Sequence, residues 1–343
     1  MFGQPSKWFY PLLFEPSLHV KVWGGRQLAT RLGKRLPTDE PYGESWEIFW
    51  RNHIANGEDS GKALGQLIRE FPEAMTGNPN AESEFPLLIK FLDAQDWLSV
   101  QVHPDDALAR QLEGEPRGKT ECWYIVDAAP NAQLIYGFSQ PTNAQEFSRA
   151  IAEGRARDYL QFVPVQAGDF IHVPAGMMHA IGPGILLYEL QQTSDTTYRV
   201  YDWDRMGLDG KPRPLHLEKA LQCTRFEVNP PAKVPYTVHE VEGGITYARL
   251  IEGQYFSLRR FSLPPQTRLK ITYDGKAHLL TVINGTLDVS AAMGKDASRT
   301  VVATAGTSVF VPARADFFMT ALGSQPAEVL IASEGALGRA VVL

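Results

Sequence analysis

The chain has only two cysteines, Cys122 and Cys223, in 343 residues. Neither a disulfide framework nor a cysteine-based zinc site can be built from them, and a reducing compartment is the natural expectation. Long apolar runs are also missing: no stretch approaches the roughly 18 residues that a membrane-crossing helix needs. Pro5 and Pro11 interrupt Met1–Phe14, and no small-residue cleavage site follows an apolar stretch there, so no leader is expected and the cytoplasm is. There is no basic excess. Lys and Arg number 33 against 39 Asp and Glu, a formal net charge of -6, which argues against nucleic acid as a partner. An anionic small molecule needs only a few local cations and stays possible as a substrate. Phosphate-cradling glycine motifs are absent as well: Gly182-Pro183-Gly184 lacks the third glycine and the strand-to-helix context.

What the chain has in quantity is punctuation. Its 29 glycines and 24 prolines separate short apolar runs such as Leu134–Tyr136, Phe170–Val173, Ile185–Leu190, Leu279–Ile283 and Ser308–Val311. Short strands with tight turns, at Gly168–Asp169 and Asn284–Gly285 among others, predict a mainly β chain folded as a sandwich or barrel. Helical spacing is expected over Lys62–Glu73, Pro104–Glu113 and Asn143–Phe162, the last weakened by Gly154. The aperiodic segment Asn229-Pro-Pro-Ala-Lys233 reads as a linker, dividing the chain into 1–228 and 229–343. Helical insertions are expected at about 61–80 and 143–162 of the first part. The segments Gly168-Asp-Phe-Ile-His-Val-Pro174 and Gly306-Thr-Ser-Val-Phe-Val-Pro312 echo each other, a sign of two related barrels.

Two histidines stand in informative surroundings. In Leu98–Pro104, strand alternation puts Ser99, Gln101 and His103 on one face, with Val100 and Val102 on the other. In Gly168–Ala180, a strand, a Pro-Ala-Gly turn and then His179 follow one another, so His179 can face a barrel interior. His172 shares a face with Phe170 and reads as a packed or surface residue. Between the two lies Gly118-Lys119-Thr120-Glu121, where Glu121 leads an apolar strand and shares a face with Lys119. Gln101, His103, Glu121 and His179 form a mixed nitrogen and oxygen set suited to Zn²⁺, with Mn²⁺ or Fe²⁺ also compatible.

These segments resemble the type I mannose-6-phosphate isomerase family, most closely its short bacterial form. The likeness rests on Ser99–Pro104, Lys119–Glu121, Pro174–His179 and Ser194-Asp-Thr-Thr-Tyr-Arg199, with Glu189 ten residues before Arg199. It extends to Val22–Gly25, Gly43–Glu47 and Phe85–Lys90, and so covers about residues 14–222. The resemblance implies two cupin-type jelly-roll barrels with helical insertions. It implies a metal on Gln101, His103, Glu121 and His179, with Zn²⁺ at one per chain. It implies interconversion of mannose 6-phosphate and fructose 6-phosphate through a cis-enediol.

Arg199 would stabilise the developing negative charge, with Glu189 first, metal-bound water second and Lys119 third as the acid–base group. Ser99, Lys119, Arg199 and Arg205 are the candidates to meet the phosphate. Arg205 stands where longer relatives place a lysine, and it has Asp202 and Asp204 beside it as alternative partners. The C-terminal barrel has no histidine where the first has His179, and no metal is expected there. A monomer without membrane or nucleic-acid partners is the expectation, since one barrel can hold the whole site. An isomerase for another sugar phosphate, a cupin oxygenase and a non-catalytic sugar-phosphate-binding cupin are the competing readings.

Overall fold

The computed structural model describes residues 10–226, 231–272, 274–291 and 300–335. Residues 1–9 of the N-terminal stretch, and Asn229 and Pro230 of the expected linker, lie outside these. The first strands are β1 (Leu12–Leu13), β2 (Ser17–Gly25), β3 (Tyr42–Ile48), β4 (Leu87–Ala94), β5 (Val100–Val102) and β6 (Glu121–Ala128). Next come β7 (Gln133–Phe138), β8 (Leu160–Pro164), β9 (Phe170–Val173), β10 (His179–Ile181), β11 (Ile185–Gln192) and β12 (Tyr198–Tyr201). The later strands are β13 (Val238–Glu240), β14 (Thr246–Glu252), β15 (Phe256–Leu263), β16 (Arg268–Ile271) and β17 (His278–Asn284). They close with β18 (Thr286–Ala291), β19 (Thr300–Thr304), β20 (Ser308–Val311), β21 (Phe317–Leu322) and β22 (Ala327–Glu334).

The strands form four antiparallel sheets. A six-stranded sheet, β2-β3-β4-β11-β6-β9, faces a five-stranded one, β12-β5-β10-β7-β8. Trp123, Ile125, Ile171, Leu187, Leu134 and Ile181 come from both and pack into one core between them. A seven-stranded sheet, β1-β20-β17-β22-β15-β14-β13, likewise encloses a core with the four-stranded sheet β16-β21-β18-β19. The result is two barrels, mainly β and cupin-like.

The six- and seven-stranded sheets also pack back to back. Alternation along β6 sends Trp123 and Ile125 into the first barrel and Cys122 and Tyr124 to the layer between barrels, where they meet Leu258, Leu279 and Phe310. Phe85 and Phe310 meet edge to face across it, 5.5 Å between centroids. Strands covered on both faces read as nearly continuous apolar runs, which is how β4 and β11 look in the sequence. β1 leaves the N-terminal half and pairs with β20, Leu12 opposite Phe310. At the end of the short helix Pro72–Thr76, Gly77 sits at φ 84°, and a Cβ there would lie 1.7 Å from the Gly275 carbonyl oxygen. Only glycine permits so close an approach of the two halves.

The helices are shorter than the spacing predicts. Lys62–Glu73 contains a helix over Leu64–Glu70, and Pro72 opens a second one, Pro72–Thr76, instead of closing the first. Proline at a first helical position loses no hydrogen bond. Pro104–Glu113 is helical from Asp106, with the Asp105 side chain accepting from the Leu108 N–H as its cap. Asn143–Phe162 breaks into Ala144–Ala152 and Ala156–Tyr159 around Gly154 at φ 71°. Leu160 and Phe162, expected on the helix, belong to β8, because pairing with β7 satisfies their backbone better than another helical turn. None of the described helices is long and apolar enough to cross a membrane.

Candidate metal centre and the barrel interior around it

The site is built by register. In the five-stranded sheet β5 lies between β12 and β10, so Gln101 is the cross-strand partner of both Arg199 and His179. Three residues spread over nearly a hundred positions, Gln101 to Arg199, thus form one row facing the barrel interior. In the opposing sheet β11 pairs with β4 and β6, which sets Lys90, Glu189 and Trp123 side by side. One step along the same face, Glu121 lies opposite Gln191 and Val173. His103 follows the end of β5, its ring 4.9 Å from that of His179.

Ligand-type atoms of His103, Glu121 and His179 lie within 4.8 Å of one another, and all three residues are buried. His179 Nε2 is 3.3 Å from Glu121 Oε1, and His103 Nε2 is 3.7 Å from Glu121 Oε2. Each imidazole is fixed from behind. His103 Nδ1 lies 2.9 Å from the Thr196 carbonyl oxygen and His179 Nδ1 lies 2.8 Å from that of Met177. A carbonyl only accepts, so both Nδ1 atoms carry the proton and both Nε2 lone pairs converge on Glu121. Burial first, then the charge of Lys119, holds His103 well below the usual imidazole range; burial brings His179 to about 4. Two neutral imidazoles beside a carboxylate, oriented by backbone carbonyls, are the donor set a divalent cation takes. His103 Nε2 has no hydrogen-bond partner. A buried, aimed and unsatisfied lone pair is costly alone and fits a bound cation.

Gln101 reaches the edge of this cluster with its amide nitrogen, 3.4 Å from His179 Nε2, while its oxygen accepts from Ser99 Oγ at 3.0 Å. Lys119 Nζ lies 2.9 Å from Glu121 Oε2. Burial works against the Lys119 charge, but Glu121 and Glu189 outweigh it and the ammonium is held above its usual range. Glu189 is buried, accepts from the Trp123 indole N–H at 3.0 Å and has Lys90 Nζ at 3.6 Å. Burial, then the charge of Glu121, raises its carboxyl against the pull of Lys119 and Lys90.

Arg199 is half-buried and its Nε has no partner; burial and the nearby Arg213 lower its affinity for a proton. Arg205 lies farther out. Its guanidinium holds Asp202 at 2.9 Å and Asp96 at 3.2 Å, whereas Asp204 accepts from the Tyr201 hydroxyl. His172 is outside the cluster, only its backbone carbonyl accepting from the Tyr136 hydroxyl.

Sequence reasoning gave no role to Lys90. It is buried between Glu189 and Glu44, at 3.8 Å from the latter, and lies over the Trp46 ring at 4.6 Å. Burial alone would raise the Glu44 carboxyl, but Lys90, Lys21 and the Trp46 N–H bring it to about 2. The signal was present: one lysine inside the apolar run Leu87–Ala94 must find buried carboxylates. Arg213 was missed too. It makes a two-pronged contact to Asp202, with both hydrogen bonds at 2.6 Å.

Two sheet pairs closed into barrels, with a buried His–Glu–His cluster inside one, define a cupin-type protein with a candidate metal centre. A family model described as the catalytic domain of type I phosphomannose isomerase matches residues 12–128. A mannose-6-phosphate isomerase of Streptococcus mutans is 40% identical over 266 residues, spanning 76% of this chain and 82% of that protein. The chain belongs to the type I mannose-6-phosphate isomerase family. A crystal structure of the mannose 6-phosphate isomerase from Bacillus subtilis superposes with a TM-score of 0.83 at 32% identity, covering 94% of this chain and 99% of that one. A zinc-bound mannose 6-phosphate isomerase, 16% identical with a TM-score of 0.74, shares the fold over 95% of this chain and 99% of its own.

Proposed function

We propose that this chain interconverts mannose 6-phosphate and fructose 6-phosphate, with one Zn²⁺ held by His103, Glu121 and His179 and Gln101 as the fourth donor. The observation that carries the reading is the convergence of two neutral imidazole lone pairs on one buried carboxylate. The Gln101 carbonyl oxygen, which here accepts from Ser99 Oγ, would serve once the amide turns over, since its nitrogen is the atom beside His179. Mn²⁺ or Fe²⁺ suits the same donors. A bound cation supplies Lewis acidity at the sugar carbonyl.

The rest is work for side chains. Isomerisation moves a hydrogen from C2 of the aldose to C1 of the ketose and the carbonyl from C1 to C2, through a cis-enediol. Glu189 is the group that takes the proton from C2 and returns it to C1: burial raises its basicity, and Trp123 and Lys90 hold it in place. Lys119 is the alternative, its ammonium held against Glu121. Arg199, with an unpartnered Nε on the row of Gln101 and His179, meets the negative charge that develops on the oxygens. The phosphate is left to one or more of Ser99, Lys119, Arg199 and Arg205, of which Arg205 is outermost and shared with Asp202 and Asp96.

Residues 1–228 form the catalytic domain and 229–343 a second, metal-free one; β1 is the strand that crosses between their sheets. One barrel supplies every site residue, which favours a monomer, and the reading places the enzyme in the cytoplasm. Metal analysis of the purified chain, run beside a coupled assay on mannose 6-phosphate with and without chelator, tests the reading. About one Zn²⁺ per chain with chelator-sensitive turnover is the expected result. Metal without turnover would sink the substrate assignment, and neither would sink the reading altogether.

A further inference from the structure

Lys119 stands on a segment that no sheet holds. Glu121 begins β6 and is fixed by ladders to β9 and β11, but Gly118–Thr120 runs free of any strand. Its three backbone N–H groups are nevertheless all bonded. That of Lys119 donates to the Pro104 carbonyl at 2.9 Å. That of Gly118 donates to Asp106 Oδ1 at 2.8 Å, and that of Thr120 to Gln192 Oε1 at 2.9 Å. Gln192 Nε2 in turn donates to the same Asp106 Oδ1 at 3.0 Å, and the Gln192 backbone N–H to the Thr120 carbonyl at 3.1 Å. One aspartate oxygen therefore anchors both ends of the segment, directly at Gly118 and through buried Gln192 at Thr120. The other oxygen, Oδ2, accepts from the hydroxyl of Tyr255 at 3.3 Å, and Tyr255 belongs to the turn between β14 and β15 of the second barrel.

We propose that Asp106 and Gln192 are positioning residues that clamp Gly118–Thr120 and so aim Lys119 into the site, and that Tyr255 ties this clamp to the second barrel. The activity arm of the proposal rests on the isomerase reading above; the clamp itself does not. The physical case is one of accounting for donors. A loop whose N–H groups had no acceptors would move by an ångström or more, and misplacement on that scale costs about a hundredfold in rate. Glu121 is held independently, so loosening the clamp displaces the lysine and spares the metal cluster. It also gives the second barrel a use: it supplies the hydroxyl that holds the far side of Asp106.

Asp106 and Tyr255 line a cavity of about 740 Å³ between the barrels, and Tyr255→Phe keeps the ring that packs against the core, so the substitutions remove polar groups and little else. The test compares Asp106→Ala, Asp106→Asn and Tyr255→Phe in the full zinc-loaded chain. Asparagine keeps an oxygen for Gly118 and Gln192 and can donate to the tyrosine oxygen. In Asp106→Ala, amide exchange at Gly118 and Thr120 should quicken by about tenfold. kcat should fall by about ten- to a hundredfold with KM changed less and zinc content unchanged. Asp106→Asn should restore most of both, and Tyr255→Phe should show a smaller fall in the same direction. Wild-type exchange and kcat in Asp106→Ala would overturn the clamp. Loss of zinc and fold that asparagine fails to rescue would reduce it to a general structural role, and overturn it equally. An unchanged Tyr255→Phe would remove the link between barrels. If the wild type itself fails to turn over mannose 6-phosphate, the isomerase reading falls and the exchange rates alone decide the clamp.

Discussion

In the first barrel β9 pairs with β6 so that Val173 lies opposite Glu121; Pro174 follows, and His179 opens β10 five residues later. In the second, β20 pairs with β17 so that Val311 lies opposite His278; Pro312 follows, and Phe317 opens β21 five residues later. The backbones make the same strand, turn and strand. The second barrel puts a phenyl ring where the first has an imidazole, and an imidazole where the first has a carboxylate. That histidine is also engaged: His278 Nε2 lies 3.1 Å from Asp274, Nδ1 lies 3.3 Å from Ser333 Oγ, and the ring packs 5.3 Å from Phe317. The barrel alone therefore does not make a candidate metal cluster, which among the described residues stands only in the first. A pair of side chains at two ladder positions decides whether its interior gathers bare lone pairs or fills with carbon.

The comparison is broken most severely by His179→Ala, which should remove both bound metal and turnover, as should His103→Ala; elemental analysis and the coupled assay read this. If His179→Ala kept full metal and activity, the centre would lie elsewhere. Arg199→Ala touches the row and not the cluster, and should keep the metal while losing about a hundredfold or more in kcat. Phe317→Ala, at the matching place in the second barrel, should lower stability by about 3–5 kcal/mol in denaturant melts and leave the metal content alone.

Asp274→Asn sharpens the contrast through pH. Burial raises the Asp274 carboxyl, but His278 and the Lys276 backbone N–H outweigh it, so the folded group titrates below its usual range. A depressed carboxylate stabilises the fold above its unfolded pKa and loses that contribution as pH falls through the folded value. The variant should be weaker than wild type by about 1.5–3 kcal/mol near neutrality. The gap in Tm should close as pH drops below about 4. Smallest of all, His172→Ala should keep metal and turnover and shift stability by about 0.5 kcal/mol or less.

Much of the candidate site was legible because strand alternation is strict. Ser99 Oγ reaches Gln101 and Lys119 Nζ reaches Glu121, as the shared faces predict, although only Gln101 and Glu121 of these lie within a strand and the others stand just beyond strand ends. The Pro-Ala-Gly turn does present His179 to the interior. Helix ends were less legible. Asn143–Phe162 reads as one helix until β7 offers Leu160 and Phe162 a ladder partner. Lys90 was legible only as a buried charge in need of a carboxylate, and which carboxylates it meets is set by the neighbouring strands.

The sequence by itself determined the mainly β fold, the residue types of the cluster and the missing histidine of the second barrel, all of which follow from local period and turn chemistry. Tertiary structure decided which of those residues meet. The Arg199–Gln101–His179 row depends on β5 lying between β12 and β10, the Lys90–Glu189 pair on the order of β4 and β11, and the Tyr255–Asp106 contact on two barrels docking back to back. A strand's own sequence fixes which face a side chain takes, but its neighbours are set by how the whole sheet closes.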